Sequence, residues 1–243
     1  MRGVDVVRRG PERVRVGPWR SDPNVAHVVP LAESPPLTAA MVRHCCAVLG
    51  TRGYGSVVTS ALARREQRGF LDDGFEIREE LHLLAHDLCD LPPARRSPGG
   101  ARLRRGQRWH RLRTLEVDGL AFSPFWRLDR SGFDEAMTAT PRARYRVATV
   151  DDVVGYAIAG RAGPRGYLQR LAVDPDATGR GIGSALVIDA LHWMAGRGVT
   201  GAVVNTQVDN ERALALYLRL GFRLQPSGLA VLTRPLADRE LAP

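Results

Sequence analysis

The segment Leu171–Ala185, LAVDPDATGRGIGSA, is the stretch on which the reading of this chain turns. A short apolar run (Leu171, Ala172, Val173) enters an Asp-Pro turn. A glycine-dense loop (Thr178, Gly179, Arg180, Gly181, Ile182, Gly183, Ser184) then opens an apolar stretch, Ala185–Ala195, long enough for a helix. A strand, a glycine loop and a helix in that order make a phosphate cradle. The first N–H groups of a helix lack intrahelical acceptors, and the helix dipole favours negative charge beside them. Glycines let the backbone approach a diester closely, and Arg180 adds a charge suited to phosphate.

Two other phosphate motifs do not fit. The chain has no GxxxxGK[ST] and no lysine at all, which excludes a Walker-type site. A dinucleotide fingerprint asks for an acidic residue after the following strand, where this chain offers Asn205.

Outward from the loop, residues 107–243 read as a compact α/β domain. Trp109–Phe125 and Phe133–Ala139 have helical character. Ala143–Val150 and Val153–Arg161 form a hairpin across Asp151-Asp152, and Tyr167–Val173 is the strand leading to the loop. Gly201–Val208 is the next strand and Asn210–Leu220 the next helix. In that helix Ala213, Leu216, Tyr217 and Leu220 share one face, Asn210 serves as N-cap, and Gly221 ends it. Phe222–Gln225 and Leu229–Thr233 complete the sheet.

Residues 1–93 repeat part of this plan. Val25–Leu31 and Gly55–Thr59 read as strands, and Thr38–Leu49 as a helix whose face carries Met41, Val42, Cys45, Val48 and Leu49. One constant spacing matches Val57 to Val204, Phe70 to Tyr217 and Phe75 to Phe222. Where the second copy has its glycine loop, the first has Ala32-Glu33-Ser34-Pro35-Pro36, which cannot cradle phosphate in the same way. Residues 94–106, rich in Pro, Gly and Arg, read as a flexible basic linker between the copies.

LAVDPDATGRGIGSAL followed by NTQVDNERALALYLRLGF resembles the two signature blocks of the GNAT superfamily of acyl-CoA N-acyltransferases. The resemblance covers about residues 107–235, and the first copy resembles the degenerate half of tandem GNAT proteins. It implies an α/β (α+β) fold with a mixed sheet flanked by helices. It also implies acetyl-CoA as co-substrate, with no metal, and a primary amine of a small molecule or peptide as acceptor. Leu171, Ala172 and Val173 would bond the pantetheine arm and thioester carbonyl. The N–H groups from Gly179 to Ser184 would hold the pyrophosphate, Asn210 would touch the pantetheine or adenosine side, and Tyr217 would protonate the departing thiolate.

Two positions depart from the family pattern. Thr178 stands where the loop commonly begins with Gln or Arg. Asn205 stands where one branch has a glutamate base, so the base falls to Glu116, Asp118, Asp134 or Glu135 through water, or the amine arrives neutral. Phe122, Phe125, Trp126 and Phe133 either wall the acceptor site or pack the halves together. Phe70, lacking the hydroxyl of Tyr217, marks the first copy as scaffold or cap.

Composition sets the outer bounds. The 243 residues are 44% hydrophobic and 25% charged, a globular balance, with no apolar run long enough to span a membrane. The N-terminal stretch has basic residues but no apolar core, unlike a secretory signal. Cys45, Cys46 and Cys89 lack metal-ligand spacing and fit a reduced, cytoplasmic protein. A net charge of +9, all of its basic side chains arginine, invites polyanions. Nucleic-acid association through the basic linker is the lesser reading, since only Trp109 lies near it for base stacking. A non-catalytic acyl-CoA sensor is the other alternative.

Overall fold

The computed structural model describes residues 4–20, 22–94 and 98–236. The chain divides into two compact units, one of residues 1–82, 207–209 and 226–243, the other of residues 83–206 and 210–225.

The first unit begins with a hairpin that the sequence reading does not contain, β1 (Asp5–Arg9) and β2 (Glu12–Trp19), paired antiparallel across Gly10 at φ +60°. Val7, Val14 and Val16 alternate inward, as a half-buried strand requires, although arginines fill most positions between them. Next come β3 (Asp22–Pro30), α1 (Ala39–Thr51), β4 (Ser56–Thr59), β5 (Leu62–Ala63), α2 (Arg64–Leu71) and β6 (Glu76–His86). α1 turns Met41, Val42, Cys45, Cys46 and Leu49 into a core shared with Val14, Val57 and Phe70. β3, β4 and α1 fall within three residues of where the sequence places them.

The second unit holds β7 (Arg102–Arg105), α3 (Arg111–Ala121), α4 (Arg130–Thr138), β8 (Arg142–Thr149), β9 (Val153–Ala162), β10 (Arg165–Val173), α5 (Ile182–Ala195), β11 (Gly201–Gln207), α6 (Glu211–Arg219) and β12 (Arg223–Leu224). The order β11-β10-β9-β8-β7 is mixed: β10 runs parallel to β11 and antiparallel to β9. α5 packs Leu186, Val187, Leu191 and Met194 on one face, and α3 and α4 cover Tyr156 and Ile158 on the other. Asn210 caps α6 by accepting from the Ala213 N–H at 3.0 Å, and Gly221 ends it at φ +88°.

The domain boundaries expected at 93 and 106 differ from this division in three places. Arg102–Arg105 is an edge strand paired with β8; Ala101 before it is buried in the α5 cluster and its Leu103 packs half-buried against the same cluster. Arg95 and Arg96 lie outside the described residues. The final strand, β13 (Leu229–Pro235), belongs to the first unit, paired with both β4 and β6. Leu84 and Ala85 of β6 pair instead with β12. The helix expected over Trp109–Phe125 is a short 3-10 turn, then α3, ending at Ala121.

The repeat is physical as well as sequential. Phe70 meets Phe75 edge-on at 5.1 Å, and the Phe75 N–H donates to the Phe70 carbonyl. Tyr217 and Phe222 reproduce both contacts in the second unit, with ring centroids 5.5 Å apart.

Burial raises the Cys45 thiol to about 12 and Cys46 to about 11, while Cys89 is exposed. A thiolate-selective disulfide reagent at neutral pH is therefore expected to titrate one fast thiol per native chain and three after denaturation. Two or more fast native thiols would mean that α1 is not packed as described.

Candidate active site

β10 and β11 pair only from Arg165–Tyr167 to Gly201–Val203. Beyond that point the ladder ends, and among the described residues Leu168–Val173 has no strand on its β11 side while remaining bonded to β9 on the other. The divergence coincides with a β-bulge between Leu168 and Arg170. A bulge adds one residue to one strand and resets its alternation. Leu168 thereby shares a face with Leu171 and Val173 against the α5 cluster, while Ala172 joins the opposite cluster.

At the end of β10 the chain enters the glycine loop. Asp174 anchors the entry: it is buried, accepts from the Asp176 N–H at 3.1 Å, and pairs with Arg113 at 2.7 Å. Gly179 and Gly181 stand at φ +77° and +78°, the left-handed region where a side chain is strained. Gly181 is also the N-cap of α5 and offers no side-chain acceptor to the first turn. Among the described residues, no N–H from Gly179 to Ser184 donates to a backbone carbonyl outside the regular ladders. Consecutive free amides at a helix start form an anion-binding concavity. Thr178 differs from its neighbours: its N–H and its hydroxyl both turn back to the Pro175 carbonyl, so it shapes the loop. Arg180 donates to the Asp176 carbonyl at 3.1 Å, and Gly99 of the preceding turn packs on it so closely that a Cβ there would lie 2.5 Å from the Arg180 Cβ.

The first unit closes the equivalent place from within. At the start of α1, Thr38 caps the Met41 N–H, and the Glu12 carboxylate takes both the N–H and the hydroxyl of Thr38. A carboxylate of the chain itself occupies the position that an anion would need.

Tyr217 lies in the core cluster beneath α6, only 5% exposed, and burial pushes its phenol well above the usual range, with Arg170 partly opposing the shift. Its hydroxyl has no hydrogen bond among the described residues. Asn205 sits exposed on β11 beyond the last residue paired with β10.

The acceptor side departs from expectation. Asp118, a candidate base, is wholly buried on α3 and saturated. Arg170 grips both its oxygens at 2.8 and 2.9 Å, the Leu128 N–H donates at 2.6 Å, and the Tyr156 hydroxyl donates to the same carboxylate. A carboxylate held by this many donors has no lone pair directed at a substrate. Arg170 also donates to the Trp126 carbonyl at 2.6 Å and lies 3.5 Å from the centre of the Phe122 ring. Phe133 is likewise core, edge-on to Tyr145, and the cavity it borders is the cleft beside the edge of β8, not the opening between β10 and β11. Glu116 and Asp134 are engaged by Arg113 and Arg111 on more open surface. The Asp118–Tyr156–Arg170 cluster escapes a reading by spacing, because its members come from three elements distant in sequence.

With this geometry in place, comparison with known proteins is direct. The acetyltransferase (GNAT) family model matches residues 109–222. Mycothiol acetyltransferase of a Nocardioides species is 29% identical over 174 residues, 61% of this chain and 59% of that protein. N-alpha-acetyltransferase 30 of Schizosaccharomyces pombe is 43% identical over 58 residues, 24% of this chain and 39% of that protein. This chain thus spans little more than half of the first relative's length and less of the second. A tandem GNAT protein from the clavulanic acid biosynthesis pathway superposes with a TM-score of 0.70 at 15% identity, covering 97% of this chain and 84% of that one, a likeness of fold.

Replacing Asp118 by Ala leaves Arg170 charged, buried and half-paired, and is expected to destabilise the fold by about 3–5 kcal/mol. Tyr156→Phe, which removes one bond to a charged group, should lower stability by about 1.5–3 kcal/mol. Urea denaturation of both variants checks this, and a shift below about 1 kcal/mol for Asp118→Ala would remove the cluster as an anchor.

Proposed function

We propose, from the match of residues 109–222 to the acetyltransferase (GNAT) family model, that the chain transfers an acetyl group from acetyl-CoA to a primary amine of a small molecule or peptide. The observation that carries this reading is the parting of β10 from β11 above a loop of free amides. A strand edge lacking its partner offers backbone donors and acceptors to an extended amide-bearing chain such as pantetheine. Leu171, Ala172 and Val173 would bond that arm, and Gly179, Arg180, Gly181, Ile182, Gly183 and Ser184 would hold the pyrophosphate. The positive φ of Gly179 and Gly181 keeps that approach clear of side chains, so these residues fit the group. Thr178 contributes by fixing the loop, and Asn210 by starting α6 beside it.

The bound co-substrate would supply an acetyl group activated as a thioester. The chain's own part is threefold. A backbone N–H at Ala172 or Val173 would stabilise the negative charge that grows on the carbonyl oxygen as the amine attacks. The Tyr217 hydroxyl would give its proton to the departing sulfur. Its raised pKa keeps the proton on oxygen throughout the neutral and mildly alkaline range, the state an acid requires before the reaction. With Asp118 locked to Arg170, the proton of the attacking amine passes to water or to a surface carboxylate, or is lost before the amine arrives.

The first relative is named for mycothiol, a thiol compound, and the second for acetylation at an alpha nitrogen. The chain's weaker coverage of the second relative makes the small molecule the better choice.

Tyr217→Phe is expected to lower kcat roughly ten- to a thousandfold while CoA still binds. Steady-state kinetics with a panel of small amines, paired with a CoA titration, tests both halves. Undiminished turnover would remove Tyr217 as the acid; loss of CoA binding would make it a packing residue.

A further inference from the structure

At the opposite end of α5 from the glycine loop, a cleft of about 560 Å³ opens where β7 stops and the edge of β8 is left bare. Trp193 stands on its wall, roughly 16 Å along α5 from Ile182 at the helical rise. The glycine loop and this cleft are therefore separate places on one unit.

Six arginines line it: Arg105, Arg108, Arg111, Arg144, Arg146 and Arg197. The acids facing them are too few. Arg144 and Arg146 share the single carboxylate of Asp189, at 3.0 and 3.2 Å, and Arg111 pairs with Asp134 at 3.2 Å. Arg105, Arg108 and Arg197 make no ion pair among the described residues. The Nε of Arg146 is sealed from solvent, and it faces the Asp189 carboxylate at 3.2 Å without hydrogen-bond geometry. Burial lowers the affinity of Arg144 for its proton, with Asp189 opposing the shift and Arg146 and Arg197 adding to it.

Such crowding is unfavourable without a counterion. Guanidinium groups present paired N–H donors that match phosphate oxygens, and in a concave, partly desolvated site their attraction is screened less than on open surface. The cleft also falls in the size range of small-molecule sites. Trp193, with Arg144 5.9 Å from its ring centre, adds a flat apolar wall. Between Arg105 and Arg108, Gly106 lies so close over Tyr145 that a Cβ would stand 2.0 Å from the ring, and all four residues line the cleft.

We propose that this cleft is a second anion site, one that binds a compact ligand carrying two or more linked phosphates, independently of the acyl-CoA site. A nucleoside diphosphate and an inorganic polyphosphate share that chemistry, and the ring of Trp193 distinguishes them.

The test uses the full chain and two probes, tripolyphosphate and ADP, titrated by calorimetry at about 50 mM salt. Arg105→Ser with Arg197→Ser removes two lip charges that have no ion pair. Arg64→Ser with Arg65→Ser removes the same charge from the exposed start of α2. The lip variant is expected to weaken tripolyphosphate at least roughly tenfold, and the control less than about twofold. Excess CoA should leave the binding unchanged. Tighter binding of ADP, abolished by Trp193→Leu, identifies the nucleotide; equal binding of the two probes identifies the inorganic chain. The proposal is overturned if neither probe binds, if the control weakens binding as much as the lip variant, or if CoA displaces the probe.

Discussion

The early end of the β10–β11 ladder is the constraint around which the second unit is arranged. Two parallel strands that stay paired leave no backbone group for a ligand. Here three residues hold the strands together, and a bulge at the next step turns β10 away. The bulge also sorts the side chains. It sends Leu168, Leu171 and Val173 toward α5, and it leaves Arg170 facing α3, where Asp118 receives it. The opening and the buried ion pair are two consequences of one extra residue, since without it Arg170 would project on the other face.

Buried charge in this protein has two contrasting fates. Asp118 and Arg170 neutralise each other within a closed set of donors that includes Tyr156, Leu128 and the Trp126 carbonyl. A bidentate pair so completely satisfied ties α3 and the segment after it to β9 and β10, and it withdraws Asp118 from proton transfer. Around Arg144 and Arg146 a single carboxylate serves two guanidiniums, and the surplus stays exposed to ligands. The difference lies in stoichiometry more than in depth.

The two copies of the fold make a matched experiment on helix starts. Each has a strand, a loop, a helix, a second strand and a second helix ending in a Gly-Phe turn, and an aromatic pair meets beneath that turn in both, edge-on in the first and tilted in the second. They differ in what meets the first helix. α1 is closed by Thr38 and by Glu12 reaching from β2, whereas α5 begins at a glycine that caps nothing. One start is satisfied internally; the other has no acceptor of its own for its first amides among the described residues.

Local chemistry was readable from sequence wherever a signal is short-ranged. Asn210 and Gly221 bracket α6, glycines mark the loop, and the spacing of Ala213, Leu216, Tyr217 and Leu220 puts one face inward, because caps, turns and helical periodicity depend on neighbours within a few residues. The repeat, too, followed from residue spacing alone. Tertiary structure decided the rest. Arg102–Arg105 looks like linker until β8 supplies its partner, and the arginines of β2 mask a strand whose valines face a core built by α1. The last strand belongs to the first unit, and Asp118 belongs to Arg170 rather than to a substrate. Each of these rests on a hydrogen bond or ion pair between residues far apart in the chain, and such pairs form only once packing has removed water and brought both partners to the same place.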